Sequence, residues 1–283
     1  MKVLILGASG MIGRTMFRVL SQRPGWQVSG SVRAKTFNGV VPGPVHGGTD
    51  LSNPDHLLRL FYKANPEVVV NCAGLTKHLP DGNDPIPSLT MNALFPHRLV
   101  EFCTVTGARL IHVSTDCVFS GKVGNYREED EPDAVDVYGK TKALGEVKSE
   151  NVITLRTSTI GHEHGTSFGL LEWFLAQQEC KGFRHAVFSG LSAVEFARVV
   201  RDLVIPNNTL SGIYHVGAAP IDKFSLLQLI AKVYQRDTKI IADEVFHVDR
   251  SLNSEKFFGA TGYRAAAWPE LIAAMHQDHL FGK

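Results

Sequence analysis

Residues 3–20 read VLILGASGMIGRTMFRVL, and this stretch decides the fold class of the chain. Residues 3–6 form an uninterrupted apolar run, which is typical of a strand buried on both faces of a parallel sheet. The run leads directly into a turn with glycine at positions 7, 10 and 13, and residues 14–20 then show helical periodicity. A buried strand, a glycine-rich turn and a helix in this order predict the first unit of a parallel α/β sheet.

The glycine spacing in this turn is typical of a phosphate-binding loop. Gly7 permits the tight turn, Gly10 lets the backbone approach a pyrophosphate, and Gly13 allows the helix to pack near the strand. Free backbone N–H groups at the helix start would hold the phosphates. The residues expected to bind a dinucleotide here are Gly7, Ser9, Gly10, Met11, Ile12 and Gly13. A glycine-rich turn that binds no ligand is the alternative.

Further short apolar runs at residues 26–32, 67–71 and 110–113 extend the predicted sheet. The predicted fold class is therefore α/β, with a Rossmann-type doubly wound parallel sheet. The composition agrees with a globular protein, because 44% of the 283 residues are hydrophobic and 20% are charged, which excludes a disordered or fibrous chain.

The charge balance and the cysteines limit the classes of partner. Lys plus Arg number 29 and Asp plus Glu 28, so the net charge of +1 predicts no binding to nucleic acid or to an anionic membrane. The four cysteines have no metal-ligand spacing and are expected to be buried, reduced thiols of a cytoplasmic protein. The apolar run at the N-terminus is too short for a signal peptide or a spanning helix.

The second predicted strand ends at Arg33, where an NAD-preferring site usually has an acidic residue that binds the ribose. Guanidinium groups can bind a 2′-phosphate with paired hydrogen bonds, and Lys35 and Arg14 add to the positive charge. We therefore expect the cofactor to be NADP(H), with NAD(H) as the alternative. A solvated basic loop is the other interpretation of Arg33.

Two more segments fit the same cofactor. Asp50, with Leu51, precedes a predicted helix and is a candidate to hydrogen-bond the adenine amino group. The strand at residues 67–71 runs into Cys72, Ala73 and Gly74, small residues that would let the backbone pass close to the dinucleotide. Helix capping by Asp50 and a simple bend at Gly74 remain the alternatives.

A catalytic set follows the fourth strand. Thr115 comes at the carboxyl end of that strand, the edge where parallel sheets bind ligands. In a predicted helix at 137–146, Tyr138 and Lys142 are i,i+4 neighbours on one face. A phenol has an ordinary pKa near 10, so an adjacent ammonium that stabilises the phenolate would make it an acid-base catalyst. Tyr138 would then protonate a carbonyl oxygen that Thr115 hydrogen-bonds, and Lys142 would bind the nicotinamide ribose.

The order of these motifs resembles the extended short-chain dehydrogenase/reductase superfamily, and within it the dTDP-4-dehydrorhamnose reductases. The resemblance lies in STDCVFSG at 114–121, YREED at 126–130 and YGKTK at 138–142, and it extends to 155–158, 212–216 and 250–254. It implies NADPH-dependent reduction of a 4-keto nucleotide sugar in polysaccharide biosynthesis. It also implies Thr115, Tyr138 and Lys142 as catalytic residues.

The substrate residues implied by the resemblance are Thr115, Asp116, Cys117, Tyr138 and Arg250. Cys117 stands where the family commonly has Tyr, Ser120 replaces Asp, and Thr159 replaces Trp, so the sugar stays open. Related dehydratases carry Asp-Glu after the catalytic Thr; here Asp116 is followed by Cys117, which favours reduction over water elimination. Arg250 is a candidate for the nucleotide diphosphate, and a plain surface arginine is the alternative.

The chain is expected to divide into interleaved parts: residues 1–160 form the NADP(H)-binding domain with the catalytic residues, and 161–283 are mainly substrate-binding. Helices at 168–178 and 191–204, with residues 212–239, are assigned to the smaller part and expected to lean over the carboxyl edge of the sheet.

Three weaker signals have two interpretations each. Asn92 either positions the catalytic lysine through a water or makes a local hydrogen bond. Lys77 and His78 are either a second proton donor or solvated loop residues. The segment 162–164, His-Glu-His, suggests a metal site but lacks a third ligand, so a loop is favoured and no metal is expected.

Two other functions remain open at this stage. Relatives of these reductases serve as regulatory subunits of methionine adenosyltransferase, which keep the dinucleotide fold but act by binding a partner. A nucleotide-sugar epimerase would retain its cofactor through turnover. Members of the superfamily often dimerise, so a homodimer is an expectation, although the sequence locates no interface for it.

Overall fold

The computed structural model describes residues 1–37, 42–77 and 84–281. The strands are β1 Lys2–Leu6, β2 Gln27–Ser31, β3 Val45–His46, β4 Val68–Asn71, β5 Arg109–Thr115, β6 Val152–Thr157, β7 Thr159–Ile160, β8 Glu179–Phe188, β9 Leu191–Ser192, β10 Gly212–His215, β11 Ile221–Asp222 and β12 Lys239–Asp249. The α-helices are α1 Met11–Ser21, α2 Pro54–Ala64, α3 Pro85–Ser88, α4 Phe95–Thr106, α5 Val137–Leu144, α6 Leu170–Leu175, α7 Ala193–Val199, α8 Lys223–Val233, α9 Glu255–Thr261 and α10 Trp268–Phe281. Short π-helical turns at Leu89–Leu94 and Val200–Val204 and a 3₁₀ turn at Asp116–Val118 complete the described part.

Seven of the described strands form one parallel sheet in the order β3-β2-β1-β4-β5-β6-β10. All residues of β4 and β6 are buried, as expected for strands covered by helices on both faces. The strand order reverses direction at β1, the switch point where such sheets bind ligands. The predicted Rossmann-type α/β fold is confirmed.

The register brings the predicted site residues to one edge of the sheet. Leu6 at the end of β1 pairs with Asn71 at the end of β4, and Asn71 pairs with His112 in β5. Because these strands are parallel, the segments that follow them leave the sheet on the same side. The glycine turn, the loop after β4 and Thr115 therefore face a common crevice.

The helix expected at 168–178 is wrong in its length. The observed helix, α6, covers only Leu170–Leu175, and the chain enters β8 at Glu179. Burial in β8 alternates over its first four residues, a period of two that a helix cannot satisfy. The segment expected as a helix at 191–204 begins instead with the short strand β9, and α7 then runs into a π-helical turn.

A second sheet, in the order β11-β8-β12, lies outside the main one, and α8 packs on β8. Two segments assigned to the smaller part lie elsewhere: α7 packs against α1, and β10 is an edge strand of the main sheet. Apolar residues of α7 and of the turn after it belong to the main core, since Phe196 and Val200 are buried in the same cluster as Phe17 of α1. The division near residue 160 remains a prediction.

None of the described helices is long and apolar enough to cross a membrane. The four cysteines all lie in the described part of the chain and are free thiols. Cys103 and Cys180 are buried as expected. Cys72 and Cys117 are partly exposed, and they lie just after the carboxyl ends of β4 and β5.

Candidate active site

The glycine turn after β1 is built on close backbone contacts. Gly7 has φ +76°, and a Cβ there would lie 2.9 Å from the backbone nitrogen of Ala73. A Cβ on Gly13 would overlap the carbonyl group of Gly7, with its carbon only 2.8 Å away. Gly10 differs, since a Cβ there would meet only the Gly7 oxygen, at 3.6 Å. Gly7 and Gly13 are thus required by packing, and Gly10 borders open space.

The start of α1 presents unsatisfied donors to that space. Gly10 is the N-cap residue, and no side chain caps the helix. The first hydrogen bond of the helix runs from Arg14 N to the Gly10 carbonyl at 2.8 Å. The N–H groups that precede Arg14 in α1 therefore have no acceptor within the helix. Ser9 and Gly10 are exposed, and Met11 and Ile12 are half-buried beside them. A helix start without a side-chain cap can bind an anion through its free N–H groups. The glycines of the turn leave room beside it for the pyrophosphate of a dinucleotide.

Arg33 and Asp50, the residues predicted to bind the adenosine part of the cofactor, are both exposed. The Asp50 carboxylate accepts from Ser52 N at 2.9 Å and from Ser52 Oγ at 2.6 Å. These bonds lower the pKa of Asp50, and Arg33 lowers it further. Asp50 thus stabilises the turn before α2 and lies within electrostatic range of Arg33. The capping alternative for Asp50 is wrong, because Asn53 caps α2. Leu51 packs its side chain into the core beside α2.

The loop after β4 is held against the dinucleotide space by two asparagines. Asn71 Oδ1 accepts from Ala73 N at 3.1 Å, next to half-buried Cys72. Asn92 clamps the loop through Leu75, whose N–H and carbonyl it bonds at 2.8 and 2.9 Å. A Cβ on Gly74 would approach Asn92 Oδ1 to 3.0 Å, so the small residue there serves the clamp.

The interpretation of Asn92 as a residue with only a local hydrogen bond is wrong, because its side chain bridges separate segments directly. Positioning of the lysine through a water stays a prediction. Besides the loop, Asn92 Nδ2 donates to Thr141 Oγ1 at 3.2 Å, on the helix that carries Tyr138. Asn92 lies within the π-helical turn Leu89–Leu94, a distortion frequent at functional sites. Lys77 is exposed in the same loop, and His78 lies outside the described residues.

Thr115 and Tyr138 are brought together by the packing of α5 on the turn after β5. Gly139 makes this possible: a Cβ there would overlap the Cys117 carbonyl and lie 2.5 Å from Ala134 Cβ. Asp136 caps the helix by accepting from Gly139 N at 2.7 Å. Thr115 Oγ1 lies between Asp116 Oδ1 and Cys117 N, each at 3.1 Å.

Burial raises the pKa of Tyr138 well above its ordinary value, and the Cys117 thiol adds to that effect. Thr115 acts in the opposite direction and lowers this pKa. Burial thus favours the protonated phenol of Tyr138, whereas Thr115 favours its ionised form.

Lys142 lies one helical turn from Tyr138, as predicted, but its ammonium is directed elsewhere. Its side chain is buried, and Nζ donates to the Val113 carbonyl at 2.8 Å. Burial lowers the pKa of Lys142 to about 8, against the raising effects of Glu146 and Cys72. Thr115 is the neighbour that lowers the pKa of Tyr138, and stabilisation of the phenolate by the Lys142 ammonium stays a prediction.

A buried ion pair fixes the end of α5 against the sheet. Glu146 accepts from Arg156 Nε at 2.8 Å and from its terminal nitrogen at 2.7 Å, with both side chains almost fully buried (4% and 3% exposed). Ser114 Oγ donates to the same carboxylate at 2.7 Å. Arg156 also contacts His215 Nε2 at 3.2 Å, so β5, β6, β10 and α5 are joined around one charge pair.

Tyr126, the tyrosine of the segment 126–130, has a structural role. Its ring stacks on Phe119 at 4.1 Å, and its hydroxyl accepts from Gly121 N and Val123 N at 3.2 Å each. Its backbone pairs with the segment 250–254, through Tyr126 N to Ser251 O at 2.9 Å. Two segments of the family resemblance thus form one unit beside Thr115.

Asp116 and Arg250 meet at the edge of this unit. Asp116 is buried, which raises its pKa, while Lys223 and Arg250 favour the ionised carboxylate. Arg250 is half-buried, and its Nε donates to the Phe119 carbonyl at 2.8 Å. Arg250 therefore lies within electrostatic range of Asp116, at the carboxyl end of β5. A plain surface arginine would not be expected to act on this buried carboxylate.

Lys223, the first residue of α8, is the site residue that sequence reasoning missed. It acts on Asp116 and Cys117 although no local motif surrounds it. Only the docking of the second sheet on the main one brings the start of α8 to this place. The available signal was a lysine within residues 212–239, the segment assigned to the substrate-binding part.

The segment His162-Glu163-His164 is a hydrogen-bonded loop. His162 contacts Glu172 Oε1 at 2.6 Å and the Tyr234 hydroxyl at 2.8 Å. Across residues 1–37, 42–77 and 84–281, no group of three or more His, Cys, Asp or Glu side chains is arranged to hold a metal ion.

Comparisons with known proteins agree with this geometry. The model of the family described as "RmlD substrate binding domain" matches residues 1–255. The chain is 27% identical over 230 residues to a dTDP-4-dehydrorhamnose reductase of Aggregatibacter actinomycetemcomitans, covering 77% of this chain and 74% of that one. It is 32% identical over 145 residues to methionine adenosyltransferase 2 subunit beta of Bos taurus, covering 51% of this chain but only 41% of the bovine protein.

A solved structure described as a hypothetical dTDP-4-dehydrorhamnose reductase from Sulfolobus tokodaii superposes with a TM-score of 0.78 at 25% identity, covering 95% of this chain and 98% of that one. The dTDP-4-dehydrorhamnose reductase of Bacillus anthracis in complex with NADP superposes with a TM-score of 0.81 at 18% identity, covering 98% of each chain. The second likeness supports the fold alone.

Proposed function

The chain belongs to the family of the RmlD substrate binding domain, and from this premise we propose that it is an NADPH-dependent reductase of a 4-keto nucleotide sugar. The observation that carries the proposal is the packing of the start of α5 on the turn after β5, which brings Tyr138 beside Thr115 and buried Lys142. Relatives named dTDP-4-dehydrorhamnose reductase support the class of reaction. The nucleotide and the sugar remain open.

The reaction adds a hydride to the carbonyl carbon and a proton to its oxygen. The reduced nicotinamide supplies the hydride when it is bound. Tyr138 donates the proton to the carbonyl oxygen, and Thr115 hydrogen-bonds the same oxygen, so developing negative charge meets two hydroxyl groups. Lys142 binds the nicotinamide ribose and, with its pKa lowered to about 8, gives the phenol a cationic neighbour near neutral pH.

The same residues support NADP(H) as the cofactor. The first turn of α1, with Ser9, Gly10, Met11, Ile12 and Gly13, would hold the pyrophosphate on its free N–H groups. Cys72, Ala73 and Gly74 would line the nicotinamide side. Arg33 would bind the 2′-phosphate, and Asp50 the adenine. NAD(H) is the alternative. The Asp50 carboxylate lies within electrostatic range of Arg33, and its negative charge would disfavour a 2′-phosphate there.

The test is NADPH oxidation with dTDP- and UDP-linked 4-keto-6-deoxysugars. We expect the wild-type chain to turn over one of them and Tyr138→Phe to lose at least 100-fold in kcat, about the contribution of general acid catalysis. Tyr62→Phe is the matched control, because Tyr62 is 87% exposed on α2, and its rate should equal that of the wild type. An unchanged rate in Tyr138→Phe would remove this phenol from the mechanism.

A second candidate is a regulatory subunit that binds a methionine adenosyltransferase. The similarity to the bovine subunit beta favours it, although it spans about half of this chain. Co-elution with a methionine adenosyltransferase, together with no carbonyl turnover, would favour this function over the reductase. An epimerase is the third: it would retain nicotinamide through purification, which absorbance spectra detect. The homodimer and the cytoplasmic location remain predictions.

A further inference from the structure

Three cationic side chains from separate segments surround Asp116 and Cys117. Lys77 follows β4, Lys223 begins α8, and Arg250 follows β12. Arg250 and Lys223 both act on Asp116, and Lys77 and Arg250 act on Cys117. The two residues after the catalytic threonine therefore lie in a strongly positive part of the crevice.

Among the described residues, none of these three cations forms a salt bridge. Arg250 uses only its Nε, toward the Phe119 carbonyl, and keeps its terminal nitrogens for other acceptors. Among the residues that the structure describes, Asp116 is the one carboxylate that acts on Lys223, and its Oδ1 already accepts from Thr115. Within that described part, the cations around Asp116 therefore outnumber the carboxylates.

Lys223 is the most constrained of the three. It is half-buried, and its Nζ lies 4.0 Å from the centre of the Phe188 ring. Phe188 is held in turn by Trp268, whose indole donates to the Ala219 carbonyl at 2.7 Å. Among the described residues, no oxygen or nitrogen accepts a hydrogen bond from Lys223, so the donors of this ammonium are unused beside Asp116 and Cys117.

Burying an ammonium without an acceptor is unfavourable, and the pKa of Lys223 falls to about 8 for this reason. Burial is the first cause, with Asp116 acting against it. A negatively charged ligand at this place would restore both the missing hydrogen bonds and the charge balance.

We infer that Lys223, supported by Arg250, binds an anionic oxygen of the substrate and so acts as a specificity-determining residue for this site. The inference rests on the proposed reductase function, which requires a nucleotide-linked substrate. Two sources share the required chemistry: the diphosphate of the nucleotide, and a carboxylate carried by the sugar. In either case the ammonium orients the sugar toward Tyr138 from the side opposite the cofactor turn.

Isothermal titration with dTDP, UDP and UDP-glucuronate tests the inference without requiring turnover. The variants are Lys223→Met, Lys223→Gln and Lys223→Arg, with Lys232→Met as the control because Lys232 is exposed on the same helix. We expect Lys223→Met and Lys223→Gln to weaken binding by about 10- to 100-fold, the range of a charge-assisted hydrogen bond. Lys223→Arg and the control should bind like the wild type, and NADPH affinity should stay unchanged in every variant.

The three ligands separate the two sources. Weaker binding of all three assigns Lys223 to the diphosphate, whereas weaker binding of UDP-glucuronate alone assigns it to a sugar carboxylate. Wild-type affinity of the folded Lys223→Met or Lys223→Gln chain for every ligand overturns the inference and leaves the reductase proposal intact. Absence of binding by the wild-type chain, together with no NADPH oxidation, overturns both.

Discussion

A series of glycine substitutions separates packing from cofactor binding in the turn after β1. In Gly13→Ala, the new Cβ would lie 2.8 Å from the carbonyl carbon of Gly7 and 3.1 Å from Ala8 Cα. Both neighbours are backbone atoms in a buried turn, so the first turn of α1 must move away by about 1 Å to restore ordinary contact distances. Overpacking of this kind costs about 1–3 kcal/mol of stability.

Gly10→Ala has a different expected result. Its Cβ would have an ordinary contact of 3.6 Å and would project toward the space where we propose the pyrophosphate. The free energy of unfolding should therefore change by less than about 0.5 kcal/mol, while NADPH affinity falls by at least tenfold. Gly259→Ala in α9 is the control, since a Cβ there meets nothing within 4 Å. Helix propensity should make it more stable by about 0.5–1 kcal/mol.

Urea unfolding and fluorescence titration with NADPH measure the two effects on each variant. Gly13→Ala should lose both stability and affinity, Gly10→Ala affinity alone, and Gly259→Ala neither. Wild-type stability of Gly13→Ala would refute the packing argument. Wild-type NADPH affinity of Gly10→Ala would show that no dinucleotide phosphate lies against the turn.

Two further predictions concern the buried charges around Tyr138. Burial holds the pKa of Lys142 near 8 in the folded chain, below its unfolded value of about 10.5, so the unfolded chain binds more protons between these values and stability rises with pH there. Urea unfolding at pH 7.5 and 9.5 should therefore show that the stability of the wild type relative to Lys142→Met increases with pH; parallel profiles would contradict the buried ammonium. Glu146→Gln leaves the Arg156 guanidinium buried without its carboxylate and should lower the free energy of unfolding by about 3–5 kcal/mol. Glu150→Gln, at an exposed turn nearby, should have no measurable effect, and equal midpoints of the two variants would show that the ion pair contributes little.

Much of the site follows from local sequence because it depends on short-range patterns. The order of apolar run, glycines and helix predicts the dinucleotide turn, and the spacing of Tyr138 and Lys142 places both on one helical turn. The fold class follows for the same reason, since short buried strands and helical patterns alternate in most of the first 160 residues. The resemblance to the dehydrorhamnose reductases rests on the same contiguous motifs.

The directions and partners of the side chains do not follow from such patterns. Lys142 is one turn from Tyr138, yet its ammonium bonds a carbonyl of β5, because the packing of α5 on the sheet sets where the side chain points. Asn92 joins a loop and a second helix that are distant in sequence. The helix expected at 168–178 is shortened because β8 pairs with β12, a partner from a remote segment.

Patterns encoded within about 20 residues are enough to predict the Rossmann-type sheet, the glycine turn and the catalytic candidates Thr115, Tyr138 and Lys142. That Lys223 and Arg250 meet at Asp116 depends instead on how distant segments pack in three dimensions. Electrostatic effects depend on distance in space and on burial, and neither can be read from positions that lie far apart along the chain.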